Sequence, residues 1–283
     1  MGIKLENVSF VYEQGTAMQT AALKDVNLEI PDNQFIGLIG HTGSGKSTLV
    51  QLLNGLLRPT SGRVLYNGED IFGDKYDRKA LRAAVGLVFQ YPEHQLFEVD
   101  VLSDVMFGPR NLGLDEKTCK KRAIEALEDV GISEEYYKTS PFDLSGGQKR
   151  RVAIAGVIAM HPHILILDEP TAGLDPRGRD EILGLISDMK KKLEMTIILV
   201  SHSMDDVARY VERIVVMGKG KKVFDDTPSN VFRHYEELEE LGLSAPQIVY
   251  IMNELKKQGI DVPTDVLTVE EAAGEILKLY QKN

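Results

Sequence analysis

The chain has 283 residues, 43% hydrophobic and 27% charged, with a formal net charge of −10 and a single cysteine, Cys119. That length fits one large domain or one domain with an appendage, and the composition is that of a globular protein. The negative balance excludes nucleic-acid binding through a broad basic surface, and one cysteine excludes an internal disulfide framework and suits a reducing cytosol.

Lys4 and Glu6 stand where a signal peptide's apolar segment would run. The first 35 residues read as β-structure: Val8, Phe10 and Tyr12 alternate with polar or small residues, and Ala22–Ile30 is a further strand stopped by Pro31. Tyr12 is either a core aromatic or a platform for a base, a stacking worth about 1–3 kcal/mol in single-strand binders.

Phe35-Ile36-Gly37-Leu38-Ile39 reads as a buried strand, and Leu49-Val50-Gln51-Leu52-Leu53 as the first turns of a helix. Between them, Gly40-His41-Thr42-Gly43-Ser44-Gly45-Lys46-Ser47-Thr48 fits the phosphate-loop pattern G-x-x-x-x-G-K-[ST]. Its glycines let the backbone approach a ligand, and successive N–H groups and the positive helix end face phosphate oxygens. Lys46 would reach the β- and γ-phosphates, and the Ser47 hydroxyl would ligate Mg²⁺. A glycine-rich turn with no ligand is the alternative.

Pro59-Thr60-Ser61-Gly62 is a turn before a strand at Arg63–Asn67; Arg78–Ala84 reads as a helix and Val85–Gln90 as a buried strand. From Tyr91 to about Met160 the pattern turns helical: Asp115–Val130 has a period near 3.6 with Gly131 as its stop, and Cys119 packs in it. Leu144-Ser145-Gly146-Gly147-Gln148 opens a long helix carrying Lys149, Arg150 and Arg151. His163–Glu169 is an apolar strand closed by Asp168 and Glu169; Pro176–Lys192 is helical, Thr196–Ser201 a strand ending at His202, and Val211–Met217 another. The longest apolar runs, Ile164–Leu167 and Ile197–Val200, fall far short of the roughly 20 residues of a membrane helix. Alternating strands and helices predict a mostly parallel sheet covered on both faces, with an inserted helical subdomain at about 91–160.

Residues 233–283 hold ten acids against five bases, half the chain's net charge, with short amphipathic helices at Pro246–Lys257 and Val269–Tyr280. This end is either a solvated tail or a module that packs on a partner or a second copy. The expected division is therefore 1–232, with the helical insertion, and 233–283.

A carboxylate at the end of a buried strand needs a ligand or hydrogen bonds. In phosphate-loop enzymes an acid where Asp168 stands holds Mg²⁺ with the loop hydroxyl, which leaves Glu169 to orient and deprotonate water. Gln90 and His202, each ending a strand, fall on the same sheet edge as the phosphate loop. Gln90 could ligate Mg²⁺ or water, and His202 could hydrogen-bond the γ-phosphate; either could also be a strand-end residue with no role. Ser145-Gly146-Gly147 at a helix start is a second anion site. A head-to-tail dimer, in which this second site caps a nucleotide held by the opposite chain, would give it something to bind.

These motifs together resemble an ATP-binding cassette (ABC) ATPase, in family order: Tyr12; Gly40–Thr48; Gln90; the Leu-Ser-Gly-Gly-Gln signature at 144–148; Ile-Leu-Asp-Glu at 166–169; Ala-Gly-Leu-Asp at 172–175; and His202. The resemblance covers roughly residues 1–230. It implies an α/β phosphate-loop fold with a mostly parallel core, an antiparallel β subdomain, the inserted helical subdomain and a small C-terminal helical extension. It further implies hydrolysis of ATP with Mg²⁺, with Glu169, His202 and Gln90 catalytic and Ser47, Gln90 and Asp168 on the metal. ATP would be held by Tyr12, the loop from Gly40 to Thr48 and, from an opposed subunit, Ser145, Gly146, Gly147 and Gln148. Asp175 would lie at the subunit seam.

Val88–Phe97 with its Tyr-Pro-Glu-His-Gln-Leu-Phe run, Asp104–Pro109, Pro246-Gln247 and Leu267–Glu271 resemble more narrowly the energy-coupling factor branch of vitamin and metal-ion importers, in the form of the second of its two paralogous ATPases. That resemblance implies a paralogous ATPase partner, a membrane-embedded T subunit docking near Gln90–Phe97, a substrate-binding S subunit met only indirectly, no nucleic acid, and a peripheral place on the cytoplasmic membrane face. The rival expectations are the ATPase of another importer or exporter, and a soluble ABC regulator of nucleic acid or ribosomes. The single cassette, the absence of a heptad run and the net charge weigh against the last.

Overall fold

The structure, a computed structural model, describes residues 2–282, with side chains as far as Leu279; Asn283, the last residue of the expected C-terminal segment, lies outside the described residues. The strands of the described residues are β1 (Gly2–Tyr12), β2 (Thr20–Pro31), β3 (Phe35–Gly40), β4 (Ser61–Tyr66), β5 (Glu69–Asp70), β6 (Val85–Val88), β7 (Ile164–Asp168), β8 (Thr196–Val200), β9 (Arg213–Gly218) and β10 (Lys221–Asp226). The helices are α1 (Lys46–Leu53), α2 (Arg78–Ala84), α3 (Val101–Asn111), α4 (Glu116–Asp129), α5 (Gly146–Ile158), α6 (Pro176–Leu193), α7 (Met204–Tyr210), α8 (Pro228–Arg233), α9 (Tyr235–Glu240), α10 (Gln247–Lys257) and α11 (Val269–Lys282).

Six strands form the central sheet in the order β10-β9-β3-β8-β7-β6, parallel throughout except for β10; β2-β1-β4-β5 form a separate antiparallel sheet. The apolar runs of the central strands are explained by burial on both faces. Phe35 and Ile39, Leu165 and Leu167, and Ile197 and Leu199 pack with the helical layer. The alternate residues Ile36, Leu38, Ile164, Ile166, Ile198 and Val200 pack instead with β1, β2 and α1.

Parallel register then positions the site. Leu38 and Asp168 both pair with Val200, and Val88 pairs with Leu167, so the ends of β3, β6, β7 and β8 reach one edge of the sheet. Two strands stop earlier than the sequence pattern suggests: β6 at Val88 and β8 at Val200, so Gln90 and His202 each stand two residues beyond a strand in the connecting turns. The cause is local. Tyr91 takes a left-handed φ of 56°, and the Ser203 cap turns the chain straight into α7.

Helices α3, α4 and α5 form the helical layer inserted between β6 and β7. Arg150 ties it to the core: its guanidinium donates to both carboxylate oxygens of Glu93 (3.0–3.3 Å) and to the Ala172 carbonyl (3.0 Å). Arg151 pairs with Glu181 at 3.1 Å, and Lys192 of α6 with Asp129 of α4. At the C-terminal end the packing changes along the chain. Leu238, Leu243, Ala245 and Val249 belong to the main core, whereas Ile248, Met252, Val262, Val266 and Ala272 make a small core of their own.

Candidate functional site

Residues 40–48 wrap from the end of β3 into α1. Gly45, the residue before α1, has φ +102°, and a Cβ there would lie 2.6 Å from the Ala22 carbonyl oxygen, so only glycine fits. Lys46 Nζ curls back over the loop and donates to the carbonyls of Gly40 (2.5 Å) and His41 (3.2 Å). Ser44 is fully buried and, among the described residues, its hydroxyl has no hydrogen-bond partner, an orphaned polar atom beneath the loop. Tyr12 packs edge-on against Phe10 and its hydroxyl meets that of Thr48 at 3.1 Å, which fixes an aromatic face beside the loop.

The loop floors a cavity of about 900 Å³. Gln90, Asp168, Glu169 and His202 all line it, together with Tyr12, Gly40–Gly43 and Gly45–Thr48. Glu169 sits just past β7 in a left-handed turn (φ 51°), its N–H bound to the Val200 carbonyl at 3.0 Å. That turn brings its carboxylate 2.7 Å from His202 Nδ1. The His202 ring is open to solvent while the carboxylate is largely enclosed.

Burial holds the Lys46 ammonium below the usual lysine range, against the opposing pull of Glu169 and Asp168. Burial, and next the negative charge of Glu169, push the Asp168 carboxyl above the usual carboxylate range, with Lys46 pulling the other way. Two acids at a strand end with one nearby ammonium form a site that a cation would relieve. The Ser47 hydroxyl, the Gln90 amide and the Asp168 carboxylate are hard oxygen donors of the kind Mg²⁺ takes. Among the described residues no three His, Cys, Asp or Glu side chains form a metal cage, so a Mg²⁺ held here would depend on phosphate and water for its other ligands.

Residues 23–172 match the ABC transporter family. An energy-coupling factor transporter ATP-binding protein EcfA2 from Caldanaerobacter subterraneus is 58% identical over 278 residues, covering 98% of this chain and 97% of the relative. The Clostridium tetani protein of the same name is 55% identical, covering 99% and 98%. The chain belongs to this branch of the ABC transporter family. It is an ATPase subunit. Solved structures agree: cbiO1 from Clostridium perfringens, part of the ABC transporter complex cbiONQ, superposes with a TM-score of 0.75 at 41% identity, covering 89% of this chain and 98% of its own. A dimeric cassette bound to ADP and Pi in a post-hydrolysis state gives 0.69 at 29% identity, covering 80% and 98%.

The cassette does not bring every expected residue into one place. Ser145, Gly146, Gly147, Gln148 and Asp175 are absent from the cavity wall. Ser145 and Gln148 are used locally, as a reciprocal capping box at the start of α5: Gln148 N–H donates to Ser145 Oγ at 3.3 Å, and Ser145 N–H to Gln148 Oε1 at 3.0 Å. Asp175 caps α6 through the Gly178 N–H at 2.7 Å. A Cβ on Gly146 or Gly147 would meet nothing, so this helix start presents open backbone.

Sequence reasoning missed several wall residues: Thr20–Ala22 of β2, Met204 at the start of α7, and Gly242, Leu243 and Ser244 after α9. They carry no motif, and only the fold brings them to the cavity.

Proposed function

We propose that this chain hydrolyses ATP to power an energy-coupling factor importer of vitamins or metal ions, working as one of two opposed cassettes. The observation that carries the reading is the single cavity shared by the phosphate loop, Asp168, Gln90 and the Glu169–His202 pair. ATP lies with its base on Tyr12 and its phosphates along Gly40–Thr48. Ser47, Asp168 and Gln90 would hold Mg²⁺, which would supply positive charge to neutralise the phosphates.

Glu169 accepts a proton from the attacking water as the water oxygen bonds to the γ-phosphorus and the bond to the β–γ bridging oxygen breaks. His202 holds the Glu169 carboxylate in place and faces the γ-phosphate. Ser145–Gln148 and Asp175 act across the seam, closing on the nucleotide of the opposed subunit. The open backbone at Gly146 and Gly147 supports that role.

The partner cassette is a paralogue, and a membrane-embedded T subunit docks near Gln90–Phe97. A groove of about 460 Å³ supports this docking: Gln95, Leu96, Phe97, Phe107 and Met160 line it, with Lys79 and Arg82 in its wall. Phe97 and Phe107 stack edge-to-face there at 4.8 Å, both substantially exposed. No described helix is long and apolar enough to cross a membrane. The chain works from the cytoplasmic membrane face.

Purification through this chain from solubilised membranes, followed by mass spectrometry of the intact complex, tests the reading. Recovery of a second ATPase and an integral membrane protein is the expected result. Recovery with no integral membrane partner contradicts it.

A further inference from the structure

The unpredicted wall of the cavity is the turn Gly242-Leu243-Ser244, and its construction is rigid. Helix α9 ends with Gly242 in the left-handed region (φ +72°), whose N–H donates to the Glu239 carbonyl at 2.9 Å, while the Leu243 N–H returns to the Leu238 carbonyl at 2.9 Å. Glycine-terminated closures of this kind satisfy the last carbonyls of a helix and fix the direction of the chain beyond it. Leu243 is then driven into the main core, and Ala245, also buried, donates its N–H to the Tyr250 hydroxyl at 3.0 Å. Ser244 is pinned between two buried neighbours and is itself exposed, on the cavity wall.

The support beneath it leads directly to the phosphate loop. Leu241 packs on Gly218, where an added Cβ would lie 3.1 Å from its Cδ atom. Gly218 ends β9, and in the turn that follows, Gly220 donates its N–H to the Ser44 carbonyl at 3.1 Å and accepts from the Lys24 N–H at 2.8 Å. The segment that leads into α10 and α11 is thus fastened to the nucleotide loop through one packed contact and one backbone bond. The wall residues are also of a type that admits a ligand: Gly242 has no side chain, and Ser244 offers a hydroxyl that both donates and accepts.

We propose that Ser244 is a nucleotide-contacting residue, and that the Gly242–Ser244 turn makes the C-terminal extension part of the ATP site. This rests on the cavity being the nucleotide site, and it goes beyond the phosphate-loop residues. The hydroxyl suits a ribose hydroxyl or a phosphate oxygen of an adenine nucleotide. Bound nucleotide then covers the turn and reports its presence to α10 and α11.

Alkylation tests this on the whole chain. Cys119 is fully buried, so in Ser244→Cys the introduced thiol is the one exposed cysteine among the described residues. Its reaction with a maleimide is timed with and without ADP, chosen so that turnover does not change the ligand. Binding of a fluorescent ADP analogue is measured in the same sample. The expected result is that alkylation slows in proportion to the fraction of chain carrying nucleotide. In Ile260→Cys, on the extension but off the cavity wall, the rate should stay constant.

An unprotected Ser244→Cys at saturating ADP overturns the inference while leaving the ATPase reading intact; failure of the wild-type chain to bind the analogue removes the ATPase reading itself. As an independent variant, Ser244→Glu sets a larger, negatively charged side chain against the bound nucleotide and is expected to weaken ADP binding about tenfold, or ~1.4 kcal/mol. Unchanged affinity in that variant also refutes the contact.

Discussion

Removing the Glu93 carboxylate leaves the Arg150 guanidinium buried without its counter-charge. The Arg150 side chain is 3% exposed and Glu93 21% exposed, and the pair is bidentate at 3.0–3.3 Å. Breaking a buried pair by deleting one partner costs roughly 3–5 kcal/mol. Water reaches the Glu93 side, and the Ala172 carbonyl still accepts one guanidinium bond, so Glu93→Ala falls somewhat below that range, at about 2–3 kcal/mol. Glu93→Gln keeps one acceptor and should cost about 1–2 kcal/mol, near the value of a charged hydrogen bond. Urea unfolding at pH 7, read by far-UV circular dichroism with matched slopes, gives the difference. The functional consequence follows from what Arg150 joins: the segment between Gln90 and the docking groove, the helix behind Ser145–Gln148, and Ala172, whose N–H bonds the Glu169 carbonyl at 3.1 Å. Glu93→Ala should therefore lower turnover as well as stability, and Arg150→Lys, which loses the fork geometry, should fall between it and wild type. A Glu93→Ala protein within about 0.5 kcal/mol of wild type would refute the reasoning, because that is the range of changes at unimportant surface positions.

Asp168→Asn should raise the melting temperature of the nucleotide-free chain at pH 7 while abolishing Mg²⁺-dependent turnover. The sign comes from linkage: burial, and next the charge of Glu169, raise the Asp168 pKa above the ordinary aspartate range, so it holds its proton more tightly when folded and stability is lost as pH rises through that raised value. The gap between variant and wild type should close as pH falls toward about 4, and a gap that stays constant with pH would show that another contact is responsible. In the extension, Ile251 of α10 and Leu277 of α11 are 50% and 59% exposed. If this face packs on the partner cassette, Ile251→Glu and Leu277→Glu should leave unfolding within about 0.5 kcal/mol of wild type but weaken pairing with that cassette in sedimentation equilibrium of the two chains together; unchanged pairing would show that this face lies outside the contact.

The half of the site built by one chain was legible because its signals are local. The run Phe35–Ile39, the glycine-spaced loop and α1 are adjacent in sequence, and β7 ends on its two acids in the structure as in the pattern. Parallel pairing carries the rest, since strands whose ends align must deliver Gln90, Asp168 and His202 to the same edge. What was not legible depends on tertiary context. β10, Lys-Lys-Val-Phe-Asp-Asp, is polar at both ends and is a strand because β9 offers it an edge. The seven-residue α7 is too short for periodicity to reveal, although Ser203 caps it. Ser145, read with Gly146 and Gly147 as an anion site, also exchanges backbone bonds with Gln148, a local use that the S-x-x-Q spacing permits. Ser244 carries no pattern at all and reaches the cavity through the packing of Leu241 and Leu243.

The most direct test of the account is Glu169→Gln, with ATP binding and steady-state hydrolysis measured on the same preparation. The side chain keeps its size and can still meet His202, but it no longer takes the water's proton. Binding is expected to persist while turnover falls by roughly 10²-fold or more, the usual weight of a general base. Near-normal hydrolysis by Glu169→Gln would place the base elsewhere and contradict the account.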